Sequence, residues 1–325
     1  MYNLSLTACS FHLRKTNSKG NLHIYNLNKP ATLVSNNDIT YTFNDMTVPF
    51  ISFFKYHQRF MKDDKKKQSF QVDFSDDNIV ETEEYRMIYA KIHSGYFGSS
   101  SEIIDGNTEE VTYQKRASDI DAHPFYLAIV FPKDNGDIIV QKGMLLFQNN
   151  GPLGVKTITT SLMQEYFSAN FNITLKCNTI SPGLFVKKIL QPEKIKNIIM
   201  IKNMKSSDTA DNIHRGYGSE IRTLGNLHFS ASHWSTLLDK MRFFAGGRFN
   251  LFEFEDIEYD SLKVVAQVGG RDRTINLHTI NNLSIIESIP DEIQMIDGHP
   301  DPILLINHLK TVTSEYLSEM VLIVA

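Results

Sequence analysis

The residues from Lys142 to Phe171 constrain the fold more than any other stretch of this chain. An apolar run, Met144 to Phe147, breaks into a polar turn carrying Gly151, Pro152 and Gly154, and the turn leads through Lys156 and Thr157 into an amphipathic helix. Four consecutive apolar residues followed by a Gly/Pro turn predict a strand. Strand, Gly-bearing turn, Lys-Thr pair and helix are also the parts of a phosphate cradle. The nucleotide-binding loop, however, needs two glycines with four residues between them and Lys-Ser/Thr directly after the second. Here only two residues separate Gly151 from Gly154, Val155 intervenes before Lys156, and Pro152 removes a backbone N–H. An ATPase or GTPase is therefore excluded. What remains is a helix start at which free N–H groups and the Lys156 charge, with Thr157 beside it, could hold a phosphate.

Length and composition suit one large or two moderate domains. The chain has 325 residues, 42% of them apolar and 22% charged, enough to build a core without disulfide staples. The two cysteines, Cys9 and Cys177, match no metal spacing and read as reduced core thiols, which suits a cytoplasmic protein. The N-terminal residues lack the basic and apolar regions of a secretory signal. No window approaches the roughly 18 apolar residues of a membrane helix, so no membrane insertion is expected. A net charge of −4 argues against a protein that coats nucleic acid by charge alone.

The pattern along the chain predicts an α+β fold: a mixed β-sheet core with flanking helices and a smaller C-terminal α+β part. Strands are expected at Leu4–Leu13, Leu22–Leu27, Phe70–Phe74, Tyr85–His93, Val111–Lys115, Phe125–Phe131, Asn172–Cys177 and Lys196–Ile201. Val48–Met61 reads as a helix with Phe50, Phe53, Phe54 and Phe60 on its apolar face, followed by a solvated Lys62–Lys67 loop. Pro182–Leu190 reads as a short helix, and residues 203–212 form the most linker-like segment. Residues 1–205 and 206–325 are accordingly expected to be two domains. In the second, Ser232–Phe244 reads as a helix, and Leu262–Val268 and Thr274–Leu277 flank a hairpin tip. Asp301-Pro302 caps a closing helix whose stripe of Ile303, Leu304, Ile306, Leu309, Val312, Tyr316 and Leu317 reads as core.

Residues 202–248 hold seven Lys/Arg against four Asp/Glu, a local excess of three positive charges in an acidic chain. Arg215, Arg242 and Arg248 interleave there with Tyr217, Phe229, Trp234, Phe243 and Phe244, a mixture suited to single-stranded nucleic acid. The tip Gly269-Gly270-Arg271-Asp272-Arg273 is expected to project Arg271 and Arg273 toward phosphates. Arg222 and His228 have five residues between them. That spacing is similar to the Arg-x(4–6)-His element of the HEPN ribonucleases, which implies a metal-independent nuclease: Arg222 neutralises phosphate and His228 moves protons. Carboxylates such as Glu253 and Glu255, and the Asp297–Asp301 turn, lack a metal-nuclease pattern. No metal and no cofactor are expected.

The turn with Leu146, Phe147, Gln148, Gly151 and Gly154, in an α+β chain of this size, resembles sporadically distributed bacterial proteins of mobile and phage-defence loci. That resemblance implies a non-catalytic nucleic-acid-binding or scaffold subunit, with DNA, RNA or proteins of the same operon as partners. A toxin-like ribonuclease acting through Arg222 and His228 is the alternative. A protein that binds only other proteins is the third reading.

Overall fold

The computed structural model describes residues 4–16, 22–133, 139–151, 153–179, 191–204, 218–225, 261–268, 271–276, 284–290, 292–293, 295–296 and 298–319. Strands dominate, in a large antiparallel sheet arrangement, and the α+β class holds in that strand-rich form. The chain divides into two compact units. One comprises Ser10–Cys177 and Met295–Ser314 with the last four residues; the other comprises Met1–Cys9, Asn178–Gln294 and Glu315–Val321. The 205/206 division expected from composition falls outside the described residues.

In chain order the elements up to the first helix are β1 (Leu4–Thr16), β2 (Leu22–Ile24), β3 (Ala31–Val34), β4 (Thr40–Phe43) and α1 (Thr47–Tyr56). There follow β5 (Met61–Asp63), β6 (Gln68–Asp73), β7 (Ile79–Glu81), β8 (Tyr85–Tyr96), β9 (Ser101–Ile104), β10 (Val111–Lys115) and β11 (Asp121–Pro132). Then come β12 (Gly143–Asn150), β13 (Leu153–Gly154), α2 (Lys156–Phe171) and β14 (Thr174–Thr179). The remainder are β15 (Ile195–Met204), β16 (Gly218–Gly225), β17 (Ser261–Val268), β18 (Arg271–Asn276), β19 (Ser284–Ser288), β20 (Met295–Ile296), β21 (His299–Pro300) and α3 (Pro302–Glu319).

The core of the Ser10–Cys177 unit is a sheet ordered β1-β12-β11-β8-β6-β5. Cross-strand partners share a face, so register sorts its side chains. Phe70 opposite Ser94, Val72 opposite Ile92 and Phe131 opposite Arg86 set one face. There Phe11 and Phe131 meet Phe50 of α1 at ring separations of 5.0 and 5.3 Å, and Phe167 of α2 meets Phe50 at 4.7 Å. The other face carries Met87 opposite Val130, and α3 lies on it: Thr313 Oγ1 reaches Met87 Sδ at 4.0 Å. With helices on both sides, β11 and β12 are buried on both faces. That burial explains the uninterrupted apolar run Met144–Phe147.

Several local expectations are corrected. α1 ends at Tyr56, and Phe60 lies beyond it, 43% exposed, because the chain turns back into β5 instead of adding a helical turn. The Lys62–Lys67 segment is exposed except at Asp63, as a solvated loop would be, but its first two residues belong to β5 and Asp63 accepts the backbone N–H groups of Lys65 and Lys66 in the turn to β6. In α3, Leu309, Val312 and Tyr316 are core, whereas Ile303 and Leu304 are 73% and 40% exposed because they sit in the first turn, beside the chain's entry from β21. The Pro182–Leu190 and Ser232–Phe244 helices lie outside the described residues.

The other unit is described by the order β16-β15-β17-β18-β19, with the first residues of β1 beside β19. The predicted β17–β18 hairpin is present, Val268 facing Arg271 across its end.

Candidate nucleic-acid interface

A groove between α3 and the β6-β8-β11 face joins charge, aromatic rings and open volume in one place. Asp73, Lys91 and Tyr126 stand in one row across three strands, since Lys91 is the register partner of both the others. Two strand spacings put about 10 Å between the ends of that row. Tyr89, two residues before Lys91 on β8, projects from the same face. The facing wall is α3, where Ile303, Ile306, Asn307 and Lys310 recur at helical spacing. The volume of the groove is about 470 Å³.

The position of α3 follows from its start. Asp301 caps the helix by accepting the N–H groups of Ile303 and Leu304 at 2.8 and 3.0 Å. This is the cap expected from Asp301-Pro302. Gly298, with φ of 78°, turns the β20–β21 hairpin that delivers it. At the far wall, Ser75 and Asn78 tie off a 3-10 turn, the Asn78 carboxamide oxygen accepting from the Ser75 N–H and hydroxyl at 2.9 and 2.8 Å.

The electrostatics of the groove are uneven. Lys91 and Lys310 make no ion pair among the described residues. Burial, then Asp73, Asp301 and Tyr89, hold the Tyr126 phenol above its ordinary pKa, so its hydroxyl stays protonated and able to donate. On the same strand face, His93 is pushed below its ordinary value by burial and by Lys91, against a smaller opposing pull from Asp73. It is neutral at pH 7.

A second cavity, of about 370 Å³, is lined by Asn28, Asp45, Arg86 and Lys133. Lys29 also lines it, and its other two cations, Arg86 and Lys133, are already committed. Arg86 pairs with Asp45 at 2.6 Å and with Glu81, and Lys133 pairs with Glu81 at 2.8 Å. An incoming anion would have to displace those carboxylates, so the α3 groove is the better binding site.

The residues singled out from sequence are dispersed. Lys156 and Thr157 do start α2, but the preceding turn is a hairpin: Leu153 and Gly154 pair with Asn150 and Asn149. That ladder takes up backbone groups of the turn, while the start of α2 carries no side-chain cap. Arg273 does not project from the hairpin; it is 1% exposed and bound to Glu287 and Glu315. Its place in mid-strand turns it inward, whereas the expectation treated it as a tip. Arg271 begins β18. Arg222 lies on strand β16 with its Nε 3.0 Å from Glu220 Oε1. Arg215, His228, Arg242 and Arg248 lie outside the described residues.

Among the described residues no cluster of three or more His, Cys, Asp or Glu is placed to hold a metal, and no helix is long and apolar enough to cross a membrane. Sequence reasoning missed the groove because its residues share no motif. The available signal was the alternation Tyr89, Lys91, His93 on a strand whose intervening positions are apolar. No protein-family model matches the chain, and no curated protein matches it.

Proposed function

We propose that this chain binds single-stranded nucleic acid, with one or two nucleotides seated in the groove between α3 and β6-β8-β11. The observation that carries the reading is the placement of two uncommitted ammonium groups, Lys91 and Lys310, around the half-buried Tyr89 ring, with the buried Tyr126 behind it. Bases offer a π-face to Tyr89 whatever their identity, at about 1–3 kcal/mol for a stacked base, and phosphates take the lysines. Asn307 and the protonated Tyr126 hydroxyl supply polar contacts at the ring edge. Because the whole chain is acidic, attraction is local: two phosphate contacts on a single strand predict a log–log salt slope of only about −1.4.

The test is fluorescence anisotropy with labelled single-stranded and duplex RNA and DNA at two salt concentrations. Lys91→Glu with Lys310→Glu is expected to weaken single-strand binding by at least tenfold and to flatten the salt slope. Wild-type affinity in that variant, or no binding by the wild-type chain, overturns the proposal.

A further inference from the structure

The β9–β10 hairpin stands apart from the groove and from the core. All four residues of β9 and four of the five of β10 are exposed. Its cross-strand pairs are apolar, Ile104 with Val111 and Ile103 with Tyr113, and each of these side chains is about half exposed. It is nevertheless built to hold its shape. Asp105 accepts the N–H groups of Asn107 and Thr108 at the turn, and at the root Asp119 accepts from the Tyr113 hydroxyl at 2.5 Å and the Arg116 N–H at 2.8 Å. An isolated two-stranded ribbon is marginal in water and gains stability from a third strand. Among the described residues, the edge of β10 away from β9 has no neighbouring strand.

The sequence along that edge identifies what completes it. β10 is preceded by Glu109 and Glu110 and closes with Lys115, followed by Arg116. An antiparallel pairing of β10 with itself, centred on the bulge between Val111 and Tyr113, puts Glu110 opposite Lys115 of a second copy. By two-fold symmetry this contact occurs twice. A parallel pairing sets acid on acid and base on base, which opposes association. The outer edge of β9 offers only Glu102 and carries no such complement. We infer that the chain forms a two-fold dimer in which the β10 edges of two copies pair antiparallel, joining two hairpins into one four-stranded sheet.

Sedimentation velocity across a concentration series tests this, using the full chain. The wild-type chain is expected to dimerise reversibly. Glu110→Lys alone and Lys115→Glu alone each set like charges at both symmetric contacts and are expected to weaken the dimer by at least tenfold. An equimolar mixture of the two variants restores opposite charges and is expected to form a heterodimer. Glu110 is exposed and Lys115 partly so, and unchanged circular dichroism melting shows that each variant is folded. A wild-type chain that stays monomeric, a dimer indifferent to Glu110→Lys, or variants whose mixture does not recover association would each overturn the inference.

Discussion

Arg273 Nε lies 2.8 Å from Glu287 Oε1, directly across the β18–β19 ladder, with both side chains at most 2% exposed. Tyr316 of α3 donates to the second Glu287 oxygen at 3.1 Å, and its ring lies 5.9 Å from the guanidinium carbon. Glu315 takes another guanidinium nitrogen at 2.5 Å. This network pins the last turns of α3 to β18 and β19, all within one unit. A buried pair contributes little net stability, but removing one member leaves a charge without its partner.

Arg273→Met is therefore expected to destabilise the protein by about 3–5 kcal/mol. Adding Glu287→Leu to it removes the stranded charge and is expected to recover much of that loss. Urea unfolding of the two variants checks both statements. A single variant as stable as the double would show that the ion pair does not govern this site.

Asp301→Ala removes the cap of α3 and frees two backbone N–H groups at the helix start. The expected cost is about 1 kcal/mol, with Asp301→Asn costing less because its carboxamide oxygen still accepts. The same helix walls the groove, so nucleic-acid affinity should fall with the cap. Paired melting and anisotropy measurements on these variants test the link.

His57 is 2% exposed, ringed by Phe53, Phe70 and Tyr166, with Nδ1 3.0 Å from the Phe53 carbonyl oxygen. Burial lowers its pKa below the ordinary 6.5, against a smaller opposing pull from the Phe53 bond. The unfolded chain thus binds a proton before the folded one does. The stability attached to His57 is complete above pH 6.5 and declines as pH falls from there toward the folded-state value. In unfolding measurements between pH 7 and pH 5, His57→Gln should show a shallower loss of stability than the wild-type chain. An unchanged slope would mean that His57 titrates normally.

Gly95 pairs with Ser69 and Ala122 in mid-sheet, and a Cβ placed there would lie 1.8 Å from the Asp121 carbonyl oxygen. The obstacle is backbone, which cannot rotate away. Gly95→Ala is expected to cost about 1–3 kcal/mol or more, by overpacking. Gly106→Ala meets nothing within 4 Å and serves as the neutral control in the same thermal melts.

By itself the sequence determined those features that depend on near neighbours. Alternation and short apolar runs marked most of the strands of the Ser10–Cys177 unit, and the phenylalanine spacing marked α1. Asp301-Pro302 marked the start of α3, and the glycine spacing before Lys156 ruled out a nucleotide loop. Each of these is settled within a few residues by backbone geometry and local solvation. Tertiary structure alone decided that Arg273 is buried, because only the pairing of β18 with β19 and the arrival of α3 bring Glu287, Glu315 and Tyr316 around it. It likewise decided where the candidate site lies. Asp73, Lys91 and Tyr126 are remote in sequence, and strand register makes them neighbours. Which charges face an open groove and which are consumed in the core depends on partners brought in from distant segments, a relation that no local pattern encodes.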